Sequence, residues 1–314
     1  MEQSRANRHK KKRSNWRKII SSILVILLLS AGGYGFYIYH SIKGAANEMH
    51  STKYWSGSKL RTGPLDLESG QPISILIMGV DERAHDVGRS DTLVMVTVNP
   101  KDESIKMTSI PRDTRTEIVG HGTIDKINHS YAFGGPKMTI QTVEHFLNVP
   151  VDFYVKVNMK AFKKIIDALG GITVQNKFTF TTHKYTFKQG ELTLNGDQAL
   201  DWARMRKKDP RGDLGRNERQ RQVIQKVINE GAKPSTLTKL DDIINVLGKN
   251  IETNMTFDEM KTIQANYMGA RKHIQSVEIG GSPQTINGIS YYVVPEQERL
   301  AVSNELKKHL GLNQ

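Results

Sequence analysis

Residues 73–113 read ISILIMGVDERAHDVGRSDTLVMVTVNPKDESIKMTSIPRD, and the fold follows from how this stretch divides. Runs 73–80, 92–99 and 104–110 are short, rich in β-branched residues and separated by turn formers, so each is predicted to be a strand. Asn99-Pro100-Lys101-Asp102 is compact enough to close a hairpin between the second and third. If the first two strands pair antiparallel, Asp81, which closes one, and Asp91, which opens the next, share one edge of the sheet. The third strand returns to that edge and ends in Pro111-Arg112-Asp113. The loop between the first two carries Arg83 and Arg89. A simple meander thus gathers Asp81, Arg89, Asp91, Arg112 and Asp113 in one place.

Downstream, helical patterns are expected over 125–133 and 136–147, then a strand at 153–158. A helix over 159–169 should stop at Gly170-Gly171 and lead into strand 172–176. The stretch TFTTHKYTF reads as an irregular surface excursion. Further helices fit 196–203, 214–231, 237–248, 256–267 and 296–310, with short strands near 274–278 and 290–294. Hairpin and crossover connections alternate, which predicts an α/β fold: a mixed sheet with helices on both faces.

Upstream, residues 19–39 are 21 consecutive uncharged residues, IISSILVILLLSAGGYGFYIY. At about 1.5 Å per residue such a helix spans a hydrocarbon core of roughly 30 Å. The run exceeds the usual apolar core of a cleaved signal and lacks an A-x-A end, so it reads as a transmembrane anchor. Residues 1–18 hold eight Lys/Arg and one Glu, more than half of the net charge of +13. By the positive-inside rule this tail is cytoplasmic and the body is outside, a single-pass type II arrangement in the cell membrane. Its abutment on the span argues against nucleic acid as a partner. Residues 40–70 read as a stalk, and 71–314 as one extracellular domain. The absence of Cys excludes a disulfide scaffold, thiolate metal ligation and a thiol nucleophile. Nothing in the sequence sets the oligomeric state.

Two carboxylates at one sheet edge, with no Cys or His between them, suit a hard cation such as Mg²⁺, with Mn²⁺ as the alternative. A second cluster, WARMRKKDPRGDLGRNERQR, occupies residues 202–221. If Trp202–Arg206 is extended, Arg204 and Arg206 point the same way. Asp213 can cap a helix whose apolar stripe is Val223, Ile224, Val227 and Ile228. Stepping back along that stripe places Arg216, Arg219 and Gln220 on the inward face and Arg221 on the outer one. Converging guanidinium groups at a helix N-terminus suit a phosphate or pyrophosphate. Lys126, in Lys126-Ile127-Asn128-His129, adds a cation. No HExxH and no G-x-S-x-G occurs, so neither zinc hydrolysis nor a serine triad is supported.

These pieces, in this order, resemble the LytR-CpsA-Psr family of membrane-anchored cell-wall phosphotransferases, in its teichoic acid transferase branch. The resemblance rests on Gly79-Val80-Asp81, Gly88-Arg89-Ser90-Asp91-Thr92, Ser109-Ile110-Pro111-Arg112-Asp113 and Lys126-Ile127-Asn128-His129 with Tyr131 and Gly134-Gly135. It continues through Leu194-Asn195-Gly196, Ala199-Leu200, Arg204-x-Arg206 and Asp213-Leu214-Gly215-Arg216-x-x-Arg219-Gln220. Trp202 and Met205 stand where Tyr and Phe are common, and Ser130 replaces a usual Ala. The resemblance implies an α-β-α sandwich with a long apolar pocket for a polyprenyl chain. It also implies transfer of an anionic glycopolymer, wall teichoic acid, from undecaprenyl pyrophosphate to the muramic acid 6-hydroxyl of peptidoglycan. Carried over residue by residue, Asp81 and Asp91 would associate with the metal. Arg89, Arg112, Lys126, Arg204, Arg206, Arg216, Arg219 and Gln220 would line the pyrophosphate site, and Asp91 and Asp113 are candidate bases. The rival readings are a polyprenyl-pyrophosphate hydrolase and a non-enzymatic envelope regulator or binding protein.

Overall fold

A computed structural model of the chain describes residues 2–82, 88–231, 233, 248 and 250–312, without the side chains of 2–19 and 31. Arg83 and nearly all of the helix expected over 237–248 lie outside the described residues. The chain divides into two compact units, 1–44 and 45–314. The first is helical throughout its described length, belonging to α1 (Glu2–Met49). Within α1, Ile20–Met49 is long and apolar enough to cross a membrane.

The second unit is built on the meander. β1 (Ile73–Val80), β2 (Ser90–Asn99) and β3 (Ser104–Ile110) pair antiparallel, with Ile73 opposite Val98 and Leu93 opposite Ile110. β6 (Phe153–Asn158) lies parallel to β1, and β11 (Ile251–Thr253) is antiparallel to β6. β12 (His273–Ser276) runs parallel to β3, completing a six-stranded mixed sheet ordered β11-β6-β1-β2-β3-β12. The alternation of side chains assigns each strand's residues to two layers. Leu76, Met78, Leu93 and Met95 pack against α2 (His129–Leu147) and α7 (Glu296–His309) through Ile140, Val143, Val302 and Leu306. Val94, Val96, Ile105 and Met107 share the opposite layer with Ile224 of α5 (Asp213–Gly231) and Tyr267 of α6 (Phe257–Tyr267). The α-β-α sandwich is thus present. A third cluster joins α3 (Met159–Leu169), α4 (Gly196–Arg204) and α5 to the hairpin of β7 (Ile172–Asn176) and β10 (Gly190–Leu194).

Local chemistry sets the helix ends. Asn158 caps α3 by accepting from the Ala161 amide, and Gly170, at φ 87°, ends it in the left-handed region. Asn195 and Gln198 form a capping box on α4.

Three expectations need correction. Residues 125–128 are not helical: β4 (Arg115–Ile118) and β5 (Thr123–Lys126) make a hairpin whose turn uses positive φ at Gly120 and Gly122. The Ile127 and Asn128 amides then donate to Thr114 O and Arg112 O, so α2 starts only at His129. The expected break between its two arms is real, since Gly134 and Gly135 are non-helical and kink it. The surface excursion contains a short hairpin, β8 (Phe180–Thr181) with β9 (Thr186–Phe187), whose phenylalanines are buried; β13 (Ser282–Ile286), paired with β14 (Ile289–Val293), was also not anticipated. Finally, the stretch 45–70 packs with the body. Trp55 is buried and donates from Nε1 to Val151 O at 2.8 Å, and Arg61 grips Asp152 through Nε and Nη2 at 2.8 and 2.6 Å. One aromatic anchor and one bidentate pair order an otherwise polar segment.

Candidate active site

The site grows from the end of the meander. A Cβ on Gly79 would stand 2.9 Å from Thr92 Cβ, so only glycine lets β1 and β2 approach this closely here. The register slips between Gly79 and Val80, and this bulge re-aims the chain at the sheet edge. The Asp81 and Asp91 amides both donate to Arg89 O, at 3.3 and 3.1 Å. One carbonyl therefore ties together the backbones of the two aspartates, as the meander predicts.

Arg112 follows β3 on the same edge. Its Nη1 donates to Asp91 Oδ1 at 2.9 Å, and its Nε lies 3.8 Å from Asp113 Oδ2. Asp113 in turn pairs with Lys126 Nζ at 3.1 Å. Burial by itself would weaken the Arg112 cation, but Asp91 and Asp113 outweigh it and raise its pKa. The N-terminal end of α5 supplies the opposing wall. Arg216, only 6% exposed, donates to Asp213 Oδ2 at 2.7 Å. Its pKa is lowered, first by burial and then by repulsion from Arg112 and Arg206, with Asp213 and Asp91 opposing. Arg216 thus feels the charge of two neighbouring guanidinium groups. Among the described residues, Arg112 Nε and Arg216 Nε are buried without a hydrogen-bond acceptor. Buried donors of this kind call for an anion.

That anion would sit at the end of a cavity of about 740 Å³ between the sheet and α3, α4 and α5. Asp91, Arg112, Arg206, Arg216 and Gln220 line it near the sheet edge, whereas Phe162, Ile166, Val223, Ile224, Val227 and Ile228 make the rest apolar. Because α5 runs along the wall from Arg216 to Gly231, the cavity follows about 22 Å of helix. The arrangement matches a ligand with an anionic head and a long apolar tail.

Not every expected residue joins it in the expected way. Arg204 lines the cavity and lies 3.3 Å from Asp81 Oδ2, but it sits on the last turn of α4, and Trp202–Arg204 is helical rather than extended. Arg89 contributes its carbonyl while its side chain is exposed. Lys126 reaches the site only through Asp113. Arg219 faces inward as predicted, yet into a different part of the body. It donates to Asp209 Oδ2 at 2.5 Å and to the Trp202 and Met205 carbonyls, holding the chain between α4 and α5. Arg221 is not on an outer face. It is buried, donating to Ser109 Oγ at 3.0 Å, Ser276 Oγ at 3.1 Å and Glu278 at 3.1 Å, because α5 is covered on that side by the ends of β3 and β12. A single apolar stripe marks one buried face of a helix, and α5 has more than one.

Sequence reasoning missed the support beneath Asp81. Tyr131 is buried and donates to Glu82 Oε1, and Lys156 Nζ lies between Glu82 and Glu252 at 3.3 and 3.0 Å. Burial and the Glu82 carboxylate push the Tyr131 phenol well above its ordinary range. The tyrosine following Asn128-His129 was the available signal. Among the described residues no three His, Cys, Asp or Glu side chains converge as a metal cage. The Asp81 and Asp91 side chains each pair with an arginine, Arg204 at 3.3 Å and Arg112 at 2.9 Å.

The fold and this site define a family, and the chain belongs to it: the LytR_cpsA_psr family matches residues 36–308. Among curated relatives, the polyisoprenyl-teichoic acid–peptidoglycan teichoic acid transferase TagU of Bacillus subtilis is 50% identical over 304 residues, covering 97% of this chain and 99% of the relative. The crystal structure of B. subtilis TagU matches with a TM-score of 0.63 and 50% identity, over 78% of this chain and 99% of that one. A structure of TagT bound to LI-WTA matches with a TM-score of 0.70 and 29% identity, over 84% and 99% of the two chains.

Proposed function

We propose that this protein is a membrane-anchored phosphotransferase that moves wall teichoic acid from undecaprenyl pyrophosphate to the muramic acid 6-hydroxyl of peptidoglycan. The observation that carries the reading is the cavity itself, apolar along α5 and closed at the sheet edge by Arg112, Arg216 and Gln220. The tail of a polyprenyl carrier suits the first part and its pyrophosphate the second. The relatives named as teichoic acid transferases support the choice of polymer.

In the reaction the acceptor oxygen forms a new bond to the phosphorus carrying the glycopolymer. The phosphoanhydride bond breaks, polyprenyl phosphate leaves, and the hydroxyl proton is taken up. Arg112 and Arg216 line the end of the cavity where charge would build on the phosphoryl oxygens, a positioning role that needs no covalent intermediate. Arg206 and Gln220 add a cation and an amide to the same wall. Asp81 and Asp91 would hold Mg²⁺, or Mn²⁺, which when bound supplies further charge neutralisation at the pyrophosphate. Asp91, which lines the cavity, and Asp113, beside Arg112, are the two carboxylates that could receive the proton. By the positive-inside rule the basic residues 1–18 would put the N-terminus in the cytoplasm and this chemistry outside.

The test uses full-length protein in nanodiscs with a polyprenyl-pyrophosphate glycan, Mg²⁺ and a peptidoglycan oligomer, read by mass spectrometry. A phosphodiester-linked product, lost on chelation and in Arg112→Ala, is expected. Release of glycan phosphate without linkage would identify a hydrolase. Arginine-dependent lipid binding without turnover would identify a binding protein.

A further inference from the structure

Resting on the phosphotransferase reading, we propose that the outward face formed by the β4–β5 hairpin and the first turns of α2 is the subsite for the acceptor glycan. In it the ring of Phe133 stacks on a pyranose ring, and His129 Nε2 hydrogen-bonds a sugar hydroxyl.

The surface is built for such a ligand. Phe133 is 44% exposed, and its ring lies 3.9 Å from that of His121 with an interplanar angle of 2°. His121 is itself held by Thr123 Oγ1 at 2.9 Å from Nδ1. An exposed phenylalanine is ordinarily free to change rotamer, but here the stack holds it, so little side-chain entropy is left to lose when a ligand covers it. The kink at Gly134 and Gly135 follows Phe133 directly, and a Cβ on Gly135 would meet nothing within 4 Å. The backbone there is accessible to a ligand at close range.

Polar groups stand beside the ring. His129 Nδ1 lies 2.7 Å from Asp125 Oδ2 and its ring meets that of Phe133 edge-on at 6.1 Å. With Nδ1 engaged by the carboxylate, Nε2 is the ring nitrogen left to hydrogen-bond a sugar hydroxyl. A flat apolar ring edged by hydrogen-bonding groups is complementary to a pyranose, whose C–H face is apolar and whose rim is hydroxylated. A lipid surface would gain little from the Asp125–His129 pair.

The face is also continuous with the transfer site. Lys126, next to Asp125, binds Asp113 at 3.1 Å, and the Asn128 amide donates to Arg112 O at 3.2 Å. In-line displacement needs the acceptor oxygen on the side of the phosphorus away from the leaving oxygen. With the carrier occupying the cavity, a glycan lying on Phe133 would reach that phosphorus past Asp113.

The test varies the peptidoglycan oligomer at saturating donor, using full-length protein in nanodiscs. Phe133→Ala and His121→Ala should raise the acceptor KM about 5- to 10-fold, with the donor KM unchanged, and Phe133→Tyr should restore the wild-type value. An unchanged acceptor KM in Phe133→Ala, with wild-type transfer intact, overturns this subsite while leaving the phosphotransferase reading standing. Absence of transfer by the wild type overturns both. A Phe133→Trp variant reports the competing occupant: emission that responds to the acceptor oligomer supports the subsite, and quenching by brominated lipid without acceptor overturns it in favour of membrane contact.

Discussion

Arg112 donates from Nη1 to Asp91 Oδ1 at 2.9 Å, while its buried Nε finds no hydrogen-bond acceptor among the described residues. Nη1 is thus fixed by one carboxylate, while Nε is turned toward a second, Asp113 Oδ2, at 3.8 Å. The geometry distinguishes arginine from lysine, because an ammonium cannot serve both directions in one plane.

Arg112→Lys should therefore lose transfer almost as completely as Arg112→Ala, by about 10²- to 10³-fold in kcat. Folding should be unaffected, since the side chain is at the surface of the cavity. Steady-state rates alongside circular dichroism check this; a lysine variant near wild-type rate would refute the bidirectional role.

Arg219 should behave in the opposite way. Its pair with Asp209 is buried on both sides, at 8% and 3% side-chain exposure. Removing one partner leaves an uncompensated buried charge, at a cost of roughly 3–5 kcal/mol. Arg219→Ala is expected to lower Tm by roughly 6–15 °C in calorimetry. Transfer lost without a fall in Tm would instead return Arg219 to the active site.

Ile224 lines the apolar length of the cavity. Ile224→Trp adds a ring to that space and should discriminate by chain length. Long polyprenyl donors should lose kcat/KM by at least tenfold, whereas a short-chain donor should be used almost as by wild type. Equal loss for both would mean that the tail lies elsewhere.

His309 sets a pH dependence of stability. Burial lowers its pKa, Lys106 lowers it further, and Asp102 and Glu305 oppose. Its nitrogens lie 2.7 Å from Thr97 Oγ1 and 2.9 Å from Ser104 Oγ, joining α7 to β2 and β3. A depressed histidine favours the folded state above the unfolded pKa of about 6.5 and loses that contribution as pH falls toward the folded value. Urea midpoints should drop between pH 7.5 and 5, and His309→Gln should flatten that drop.

Legibility in the sequence followed the range of the interactions. The meander, the crossover to β6 and the caps of α3 rest on alternation and on neighbours a few residues apart, and the strands fell where those patterns placed them. Asp81, Asp91 and Arg112 share an edge because hairpin pairing alone brings them there. The β4–β5 hairpin was missed because its strands have four residues each and little apolar alternation, and its turn depends on two glycines with positive φ. Trp55 and Arg61 looked like stalk residues because their partners, Val151 and Asp152, are some ninety residues away.

The cationic cluster marks the boundary between local and long-range information. Periodicity along α5 sufficed to turn Arg216, Arg219 and Gln220 inward, since side-chain direction on a helix is a local property. Which interior each one enters depends on what is packed there. Arg216 meets the cavity beside Arg112, Arg219 meets Asp209 and the α4 carbonyls, and Arg221 meets Ser109 and Ser276 at the sheet. A buried cation requires a partner, and in this chain the partner separates the arginines that tie elements of the body together from those that line the cavity.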